Sequence, residues 1–427
     1  MRSVFFKFFI DLELHDGVSE GKYLLGLGQE KMAVCAPVED AISMSLNAFS
    51  RLISRFQISV DQIGRIDVGS ESNPDRAKSI KSHLISLLGD KGSNCIAGGD
   101  NLQACYGGTA ALLNSAAWLE SSQWEPNKFA IVVAGDVAIY DSPSARATGG
   151  AGAVAILLAR DSNASIKLDK HFGHYSTHVY DFYKPDPSTE APKVDGPLSI
   201  SSYLLSACNA YINWYKRAHP SALKTNPSPI SYLFSNLIFH SPYSKIVFKA
   251  FRRLQAIDHL DFVDMKDFSS AQKDHISRTN FETDFSEIVE PNLKYSKQIG
   301  NAYCSSIFFN LICALSRFET GKIGAFSYGS GSMATFFSFS FDGRKLDWLQ
   351  DLISDLESKL SNRTKITPLE YEKLMKKRKG LYGASNWTAN SEDIKHLREG
   401  SFYLNRIDSE FRRHYQIKQP NQSIKDE

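Results

Sequence analysis

The sequence predicts an α/β layered fold built from two duplicated halves, residues 1–163 and 164–427. Two observations carry that prediction. The same order of elements occurs twice: a strand with a polar tip, a turn entering a buried helix, and a glycine turn into a strand. The two central helical stretches, 109–119 and 303–318, are apolar or small on nearly every side, so they are enclosed rather than laid on a surface. Sheets that sandwich buried helices satisfy both.

In the first half, residues 63–68 read as a strand running into Gly69-Ser70-Glu71, then a helix over 77–88. The turn Gln103-Ala104-Cys105-Tyr106-Gly107-Gly108 leads into a helix through Trp118. A strand at 129–134 follows, and Gly149-Gly150-Ala151-Gly152 opens the apolar run 153–158. In the second half, Leu237-Ile238-Phe239 runs into His240-Ser241-Pro242 and a helix over 245–254. Gly300-Asn301-Ala302 precedes the helix 303–318, and Gly329-Ser330-Gly331-Ser332 opens a strand over 333–341. Beyond the repeat, residues 345–360 place six Leu and Ile side chains at helical spacing, an amphipathic helix on the outside. Thr367-Pro368-Leu369-Glu370 is a capping box with Pro at the first helical position. Lys376-Lys377-Arg378-Lys379 closes that helix before Gly380, as basic residues suit a helix C-terminus, and the tail after Gln419 frays.

Composition removes several function classes. A formal charge of +2 gives no reason to expect a nucleic acid as partner, so any anionic ligand must be held by a local cluster. The 27 Phe and 18 Tyr indicate a globular chain. Six dispersed cysteines form neither a CxxC pair nor a metal-ligand spacing, which points to reduced, mostly buried thiols and a cytoplasmic setting. No apolar run approaches the ~20 residues of a membrane span. Lys7 interrupts the apolar start and Asp11 and Glu13 follow it, unlike a secretory signal. The last four residues match neither an ER-retention nor a peroxisomal signal.

Cys105 stands out because it lies just before a helix N-terminus, where unpaired N–H groups and the helix dipole favour thiolate. It is the expected nucleophile, carrying an acyl group as a thioester. Glu71, His240 and Asn301 fall at equivalent strand ends, where open α/β sheets bind ligands. Histidine supplies a general acid or hydrogen-bond donor, and glutamate a base. Each also has a structural reading: Cys105 as a small buried hydrophobe, His240 as a satisfied core histidine, Glu71 as a helix-terminal anion, Asn301 as a turn residue. Their shared placement in a duplicated frame favours the chemical reading. Lys245 and Lys249, one helical turn apart, suit either a pyrophosphate or a solvated face, and Arg146 either closes the site or braces the glycine turn.

Taken in order, these motifs resemble the 3-hydroxy-3-methylglutaryl-CoA synthase family of the thiolase superfamily. The resemblance runs from about Gly21 to Tyr415. It rests on Gly21-Lys22-Tyr23, Gly26-Leu27-Gly28-Gln29, Val68-Gly69-Ser70-Glu71 and Ala104-Cys105-Tyr106-Gly107-Gly108-Thr109. It continues through Ala134-Gly135-Asp136-Val137-Ala138, Tyr180-Asp181-Phe182-Tyr183-Lys184-Pro185, Val194-Asp195-Gly196, Phe239-His240-Ser241-Pro242-Tyr243 and Phe326-Ser327-Tyr328-Gly329-Ser330-Gly331. The resemblance implies a thiolase-like α-β-α-β-α fold and condensation of acetyl-CoA with acetoacetyl-CoA in the mevalonate route to isoprenoids. It places the nucleophile on Cys105, the acid/base on Glu71 and the acetoacetyl-CoA contact on His240. It implies substrate or CoA contacts at Ser144, Thr148, Ser199, Lys245, Lys249, Asn301 and Ser330, with Asp136, Asp181 and Tyr106 in support. No metal or organic cofactor is expected, and the relatives imply a homodimer.

The chain departs from the family at several positions. Residues 1–15 do not match the core strand with which members begin. Ser19-Glu20 replace an acidic-Ala pair, Ser144 an Asn, Ala147 a Pro and Cys304 a Thr; these weaken substrate binding while leaving every catalytic group in place. A ketoacyl-carrier-protein synthase shares the Cys, His, Asn order, but its decarboxylating chemistry needs no carboxylate such as Glu71. A non-catalytic acyl-CoA-binding relative is the other alternative, and retention of Cys105, Glu71 and His240 together argues against it.

Overall fold

The structure, a computed structural model, describes residues 3–4, 10–90, 95–161, 163–220, 230–257, 281–317 and 319–420. The first half comprises β1 (Ser3–Val4), α1 (Ile10–Asp16), β2 (Met32–Ala33), α2 (Ala41–Phe56), β3 (Ile63–Gly69), α3 (Ile80–Ile85), β4 (Asp100–Asn101), α4 (Gly107–Leu119), β5 (Phe129–Ala138) and β6 (Gly150–Leu158). The second begins with β7 (Ile166–Leu168), β8 (Gly173–Ser176), β9 (Phe182–Tyr183), β10 (Lys193–Val194), α5 (Gly196–Ala218) and β11 (Asn236–Phe239). It continues with α6 (Ser244–Gln255), α7 (Lys294–Ile299), α8 (Ser306–Arg317), β12 (Gly321–Gly329) and β13 (Met333–Phe341). The C-terminal elements are α9 (Asp347–Ser361), α10 (Pro368–Tyr382), β14 (Trp387–Thr388), β15 (Phe402–Ile407) and β16 (Arg413–Ile417).

The two main sheets repeat one plan. β3 runs parallel to β4 and β5, and β5 antiparallel to β6, in the order β4-β3-β5-β6. β11 runs parallel to β12 and β12 antiparallel to β13, whose outer edge takes both β7 and β8. Thus β3 corresponds to β11, β5 to β12, β6 to β13 and α4 to α8. Helix α2 covers the outer face of the first sheet, setting Ile42, Leu46 and Phe49 against Ile66, Val68, Ile131 and Val133. Ile307 and Phe308 of α8, with Leu112 of α4, fill the space between the sheets. Helices α5 and α6 cover the second sheet through Tyr203, Tyr211, Trp214, Val247 and Phe251 against Phe326 and Phe336. Burying each such side chain stabilises by roughly 1.5–3 kcal/mol, and this packing gives the five-layer α-β-α-β-α arrangement.

Several elements differ from the sequence reading for local reasons. The helix expected over 77–88 starts at Ile80, because Ser79 caps it through its hydroxyl on the Ser82 N–H at 3.1 Å, and residues 86–88 tighten into a 3-10 turn. Helix α8 is enclosed as expected, whereas α4 brings Asn114 and Ala117 to the surface. Thr367 and Glu370 form the expected capping box. The basic run does not end α10, which continues through Gly380 to Tyr382. Arg378 is buried rather than solvated, because it makes a bidentate pair with Glu190 at 2.7 and 2.9 Å and donates to the Glu39 carbonyl at 2.6 Å. In the expected outer helix α9, Leu349 and Leu360 are buried against the α8 core. The C-terminal elements pack on the first half, with Ile366 and Tyr371 against Leu12 and Tyr23, and Leu404 against Val38. Residues 5–9 and 421–427, which carry the sequence readings of the two termini, lie outside the described residues.

Candidate active site

The ends of β3, β5 and β12 meet the turn before α4. Ala104 takes a left-handed φ of 44°, which turns the chain so that Cys105 projects just before Tyr106 caps α4. The tip of β12 presses on this turn: a Cβ on Gly329 would lie 2.4 Å from the Gln103 carbonyl and 2.7 Å from the Tyr106 nitrogen. Only glycine admits that approach, so the second half can buttress the turn of the first that carries Cys105. The Tyr106 hydroxyl bonds Thr335 on β13 at 2.6 Å, a second tie between the halves.

The Cys105 thiol donates to Glu71 Oε1 at 3.2 Å. Asp136, from β5, organises the approach. Its Oδ1 accepts from the Ser70 hydroxyl at 2.9 Å and the Glu71 N–H at 2.8 Å, and its Oδ2 from the Cys304 N–H at 3.0 Å. Lys184 Nζ lies 3.3 Å from Glu71 Oε2 and donates to the Glu71 carbonyl at 3.1 Å. Burial raises the Glu71 carboxyl above the usual carboxylate range; Lys184 opposes that rise and Asp136 adds to it. Burial, followed by the Glu71 charge and the nearby Cys304, pushes the Cys105 thiol well above its ordinary value. This corrects the expectation of a resting thiolate. The helix dipole is outweighed by a dry setting and an adjacent carboxylate, so the resting group is a thiol bonded to Glu71.

His240 follows β11, fixed by its N–H on the Phe326 carbonyl and by Tyr203, whose hydroxyl donates to the His240 carbonyl, both at 2.6 Å. Its side chain is buried, and neither ring nitrogen has a hydrogen-bond partner among the described residues. Burial alone pushes its pKa down to about 3, so the ring is neutral at physiological pH. Two unpaired buried nitrogens cost free energy unless a ligand meets them.

Asn301 also takes a turn role. Its Oδ1 accepts from the Tyr303 N–H at 2.9 Å and the Ser306 hydroxyl at 3.1 Å, while its amide donates to Tyr140 at 3.4 Å. The glycine turns of the two halves touch beside it, since a Cβ on Gly300 (φ +83°) would sit 1.9 Å from the Gly149 carbonyl. The Asn301 N–H donates to the Thr148 carbonyl at 2.9 Å, joining those two expected contacts. Asp181 joins three more elements: it accepts from Tyr328 at 2.7 Å, Ser199 at 3.3 Å and the Gly331 N–H, next to Ser330, at 2.9 Å.

Ser144, Lys245 and Lys249 are exposed. The Ser144 hydroxyl meets Ser142 at 2.9 Å, and neither lysine pairs with a carboxylate among the described residues. Arg146 braces the turn, paired with Asp16 and with Glu372 at 3.2 Å. Sequence reasoning missed Lys184, Tyr140 and Tyr303; the signal for Lys184 was a lone cation in the aromatic run Tyr180–Pro185. A cavity of about 260 Å³ lies beside the site and shares Tyr140 with it, but Cys105, Glu71 and His240 do not line it. Among the described residues no group of three or more His, Cys, Asp or Glu side chains is arranged to hold a metal ion, and no helix is long and apolar enough to cross a membrane.

Comparison with known proteins gives one consistent answer. The family model "Hydroxymethylglutaryl-coenzyme A synthase N terminal" matches residues 7–163, and the corresponding C-terminal model matches residues 166–418. Hydroxymethylglutaryl-CoA synthase B of Dictyostelium discoideum is 36% identical over 96% of this chain and 93% of its own length. The cytoplasmic hydroxymethylglutaryl-CoA synthase of Rattus norvegicus is 38% identical over 95% of this chain and 83% of its own, and the human mitochondrial enzyme 37% identical over 95% and 85%. Among solved structures, MvaS in complex with 3-hydroxy-3-methylglutaryl coenzyme A superposes with a TM-score of 0.81 at 29% identity, covering 98% of this chain and 96% of that one. With its fold, both family models and full-length relatives in agreement, the chain belongs to the hydroxymethylglutaryl-CoA synthase family.

Proposed function

We propose that this chain condenses acetyl-CoA with acetoacetyl-CoA and water to give 3-hydroxy-3-methylglutaryl-CoA and CoA, through an acetyl group held on Cys105. The observation that carries the assignment of roles is the 3.2 Å hydrogen bond from the Cys105 thiol to Glu71, and the buried His240 imidazole, without a hydrogen-bond partner among the described residues, supports its own part. As Cys105 sulfur attacks the acetyl carbonyl, its proton passes through Glu71 to the departing CoA sulfur. Glu71 then removes a proton from the acetyl methyl, and the enolate carbon bonds the ketone carbon of acetoacetyl-CoA. His240, neutral, donates a hydrogen bond to the ketone oxygen as it becomes an alkoxide, and the proton held by Glu71 completes the hydroxyl. Backbone N–H groups at Cys105 and in the Ser330 turn hold the thioester oxygen. Water cleaves the Cys105 thioester and restores the thiol.

Lys245 and Lys249, exposed and without carboxylate partners among the described residues, take the CoA phosphates, with Ser144 and Thr148 at the same mouth and Ser199 and Ser330 along the pantetheine. The two duplicated halves act as units that each give one side of the site. The free cysteines, buried at Cys35, Cys208, Cys304 and Cys313, support a reducing compartment, which we take to be the cytoplasm, with the product entering the mevalonate route. A homodimer is expected, and light scattering at micromolar concentration that returns a monomer mass overturns that part.

The reaction is tested by incubating the protein with acetyl-CoA alone and mapping acetylated peptides by mass spectrometry. Acetyl on Cys105, discharged as 3-hydroxy-3-methylglutaryl-CoA when acetoacetyl-CoA is added, is the expected result. Acetyl on another cysteine, or on none, overturns the proposal.

A further inference from the structure

We propose that Lys184 is a positioning residue for the reaction: it favours the charged form of the Glu71 carboxylate and keeps it aimed at Cys105. The proposal rests on the reading of Glu71 as the base. Lys184 directly follows β9, whose Phe182 and Tyr183 pair with Val194 and Lys193 of β10, so its backbone is fixed by a short antiparallel ladder. Its ammonium has three hydrogen-bond directions, and both ends of Glu71 and two aromatic rings, Tyr303 and Phe182, surround it. The Glu71 carboxylate is 3.3 Å away, the Glu71 carbonyl 3.1 Å, and the Tyr303 ring centroid 4.8 Å beneath it. A flexible four-carbon side chain, one-fifth exposed, is thereby held to one place.

The charge balance around Glu71 gives this contact its consequence. Glu71 and Asp136 are neighbouring carboxylates, each taken out of water. Asp136 is compensated by the Ser70 hydroxyl and the N–H groups of Glu71 and Cys304. Among the described residues, the Glu71 oxygens meet only the Cys105 thiol and Lys184. The other titratable groups facing Glu71 are Cys304, Tyr140 and Tyr303, each held neutral by burial. Facing Lys184 besides Glu71 and Asp136 are Glu190 and Tyr382, and Glu190 is already matched by Arg378. Lys184 is therefore the one ammonium that offsets the Glu71 charge among the described residues. Burial pulls Lys184 down, but Glu71 and Asp136 outweigh it and hold the ammonium above its ordinary value. Without it, two carboxylates would share a dry site, and Glu71 would hold a proton more tightly and serve as a base only at higher pH.

The test compares condensation rates in Lys184→Met, Lys184→Arg, Glu71→Gln and the double variant Glu71→Gln/Lys184→Met, from pH 5.5 to 9. Lys184→Met should move the acid limb of the kcat profile upward by roughly one pH unit or more, with a rate at pH 7 about tenfold lower that recovers as pH rises. The KM for acetoacetyl-CoA should stay within about twofold, since Lys184 acts on the base and not on substrate binding. Lys184→Arg, which restores the charge, should return most of the shift. Adding Lys184→Met to Glu71→Gln should cost nothing further, because the two act as one unit. A lowered rate with an unmoved pH profile, or additive losses in the double variant, overturns the proposal. A parent-like rate in Glu71→Gln overturns the assignment of the base and this proposal with it. A slow Glu71→Gln beside an unmoved Lys184→Met profile overturns the proposal alone.

Discussion

The two halves place different chemistry on the same strand end. At the tip of β3, Glu71 is surrounded by a cation, a thiol and a second carboxylate, with every charged group partnered. At the tip of β11, His240 is neutral and both of its ring nitrogens lack hydrogen-bond partners among the described residues. A partnered, charged tip suits proton transfer, because the pKa of its base is set before substrate arrives. An unpartnered neutral tip suits recognition, because its hydrogen bond is spent only on an incoming oxygen. Duplication supplies two equivalent positions, and the polar partners around each decide which task it takes.

The edges of the sheets differ in the same way. Val154–Leu158 of β6 pack on both faces of the first sheet and remain half-buried, since no strand pairs with their outer edge among the described residues. The matching strand, β13, is covered by β7 and β8 and is almost wholly buried. An open edge is a template for further pairing, so equal topology does not mean equal protection.

The comparison of the tips breaks most sharply at Cys105. Cys105→Ser should abolish acetylation and turnover together, read by peptide mass spectrometry and product assay, because a hydroxyl beside Glu71 is a far poorer acyl acceptor. Next in size, Glu71→Ala should still form the acetyl-enzyme, more slowly, while single-turnover condensation falls by roughly two to four orders of magnitude. An unchanged condensation rate would move the base elsewhere. His240→Ala should leave acetylation near the parent rate and lower condensation by about two to three orders, the usual worth of one oxyanion donor. Equal loss of both steps would erase the contrast between the tips.

The smallest effect is on stability. With its pKa at about 3, folded His240 refuses a proton that the unfolded chain takes up near its ordinary value of about 6.5. Stability contributed by the neutral ring is therefore fully present above about pH 6.5 and lost progressively as pH falls toward 3. NMR of the imidazole should show no titration between pH 5 and 8, and His240→Gln should flatten the acid side of a denaturation series. A midpoint inside that window would mean that the ring is solvated.

Much of this was legible in the sequence. Glycine turns, capping residues and apolar runs act within a few positions, and they located β3, β5, β11, the capping box at Thr367 and the turn that carries Cys105. The polar tips were legible too, because a reactive residue directly after an apolar strand stands at the sheet edge where ligands gather. Lys184 lies within a recognisable motif, but nothing near it in the chain points to a task, since its contact with Glu71 spans 113 positions. Arg378 looked like a solvated helix end because its partner Glu190 is 188 positions away.

The sequence by itself determined the layered α/β class, the duplicated order and the residue types at the strand ends, because those follow from short-range periodicity and turn chemistry. Only the tertiary structure decided their charge states. A helix terminus alone argued for a Cys105 thiolate, but burial and the approach of Glu71 keep the resting thiol protonated. Protonation depends on desolvation and on charges a few ångströms away in space, and folding alone decides which groups those are.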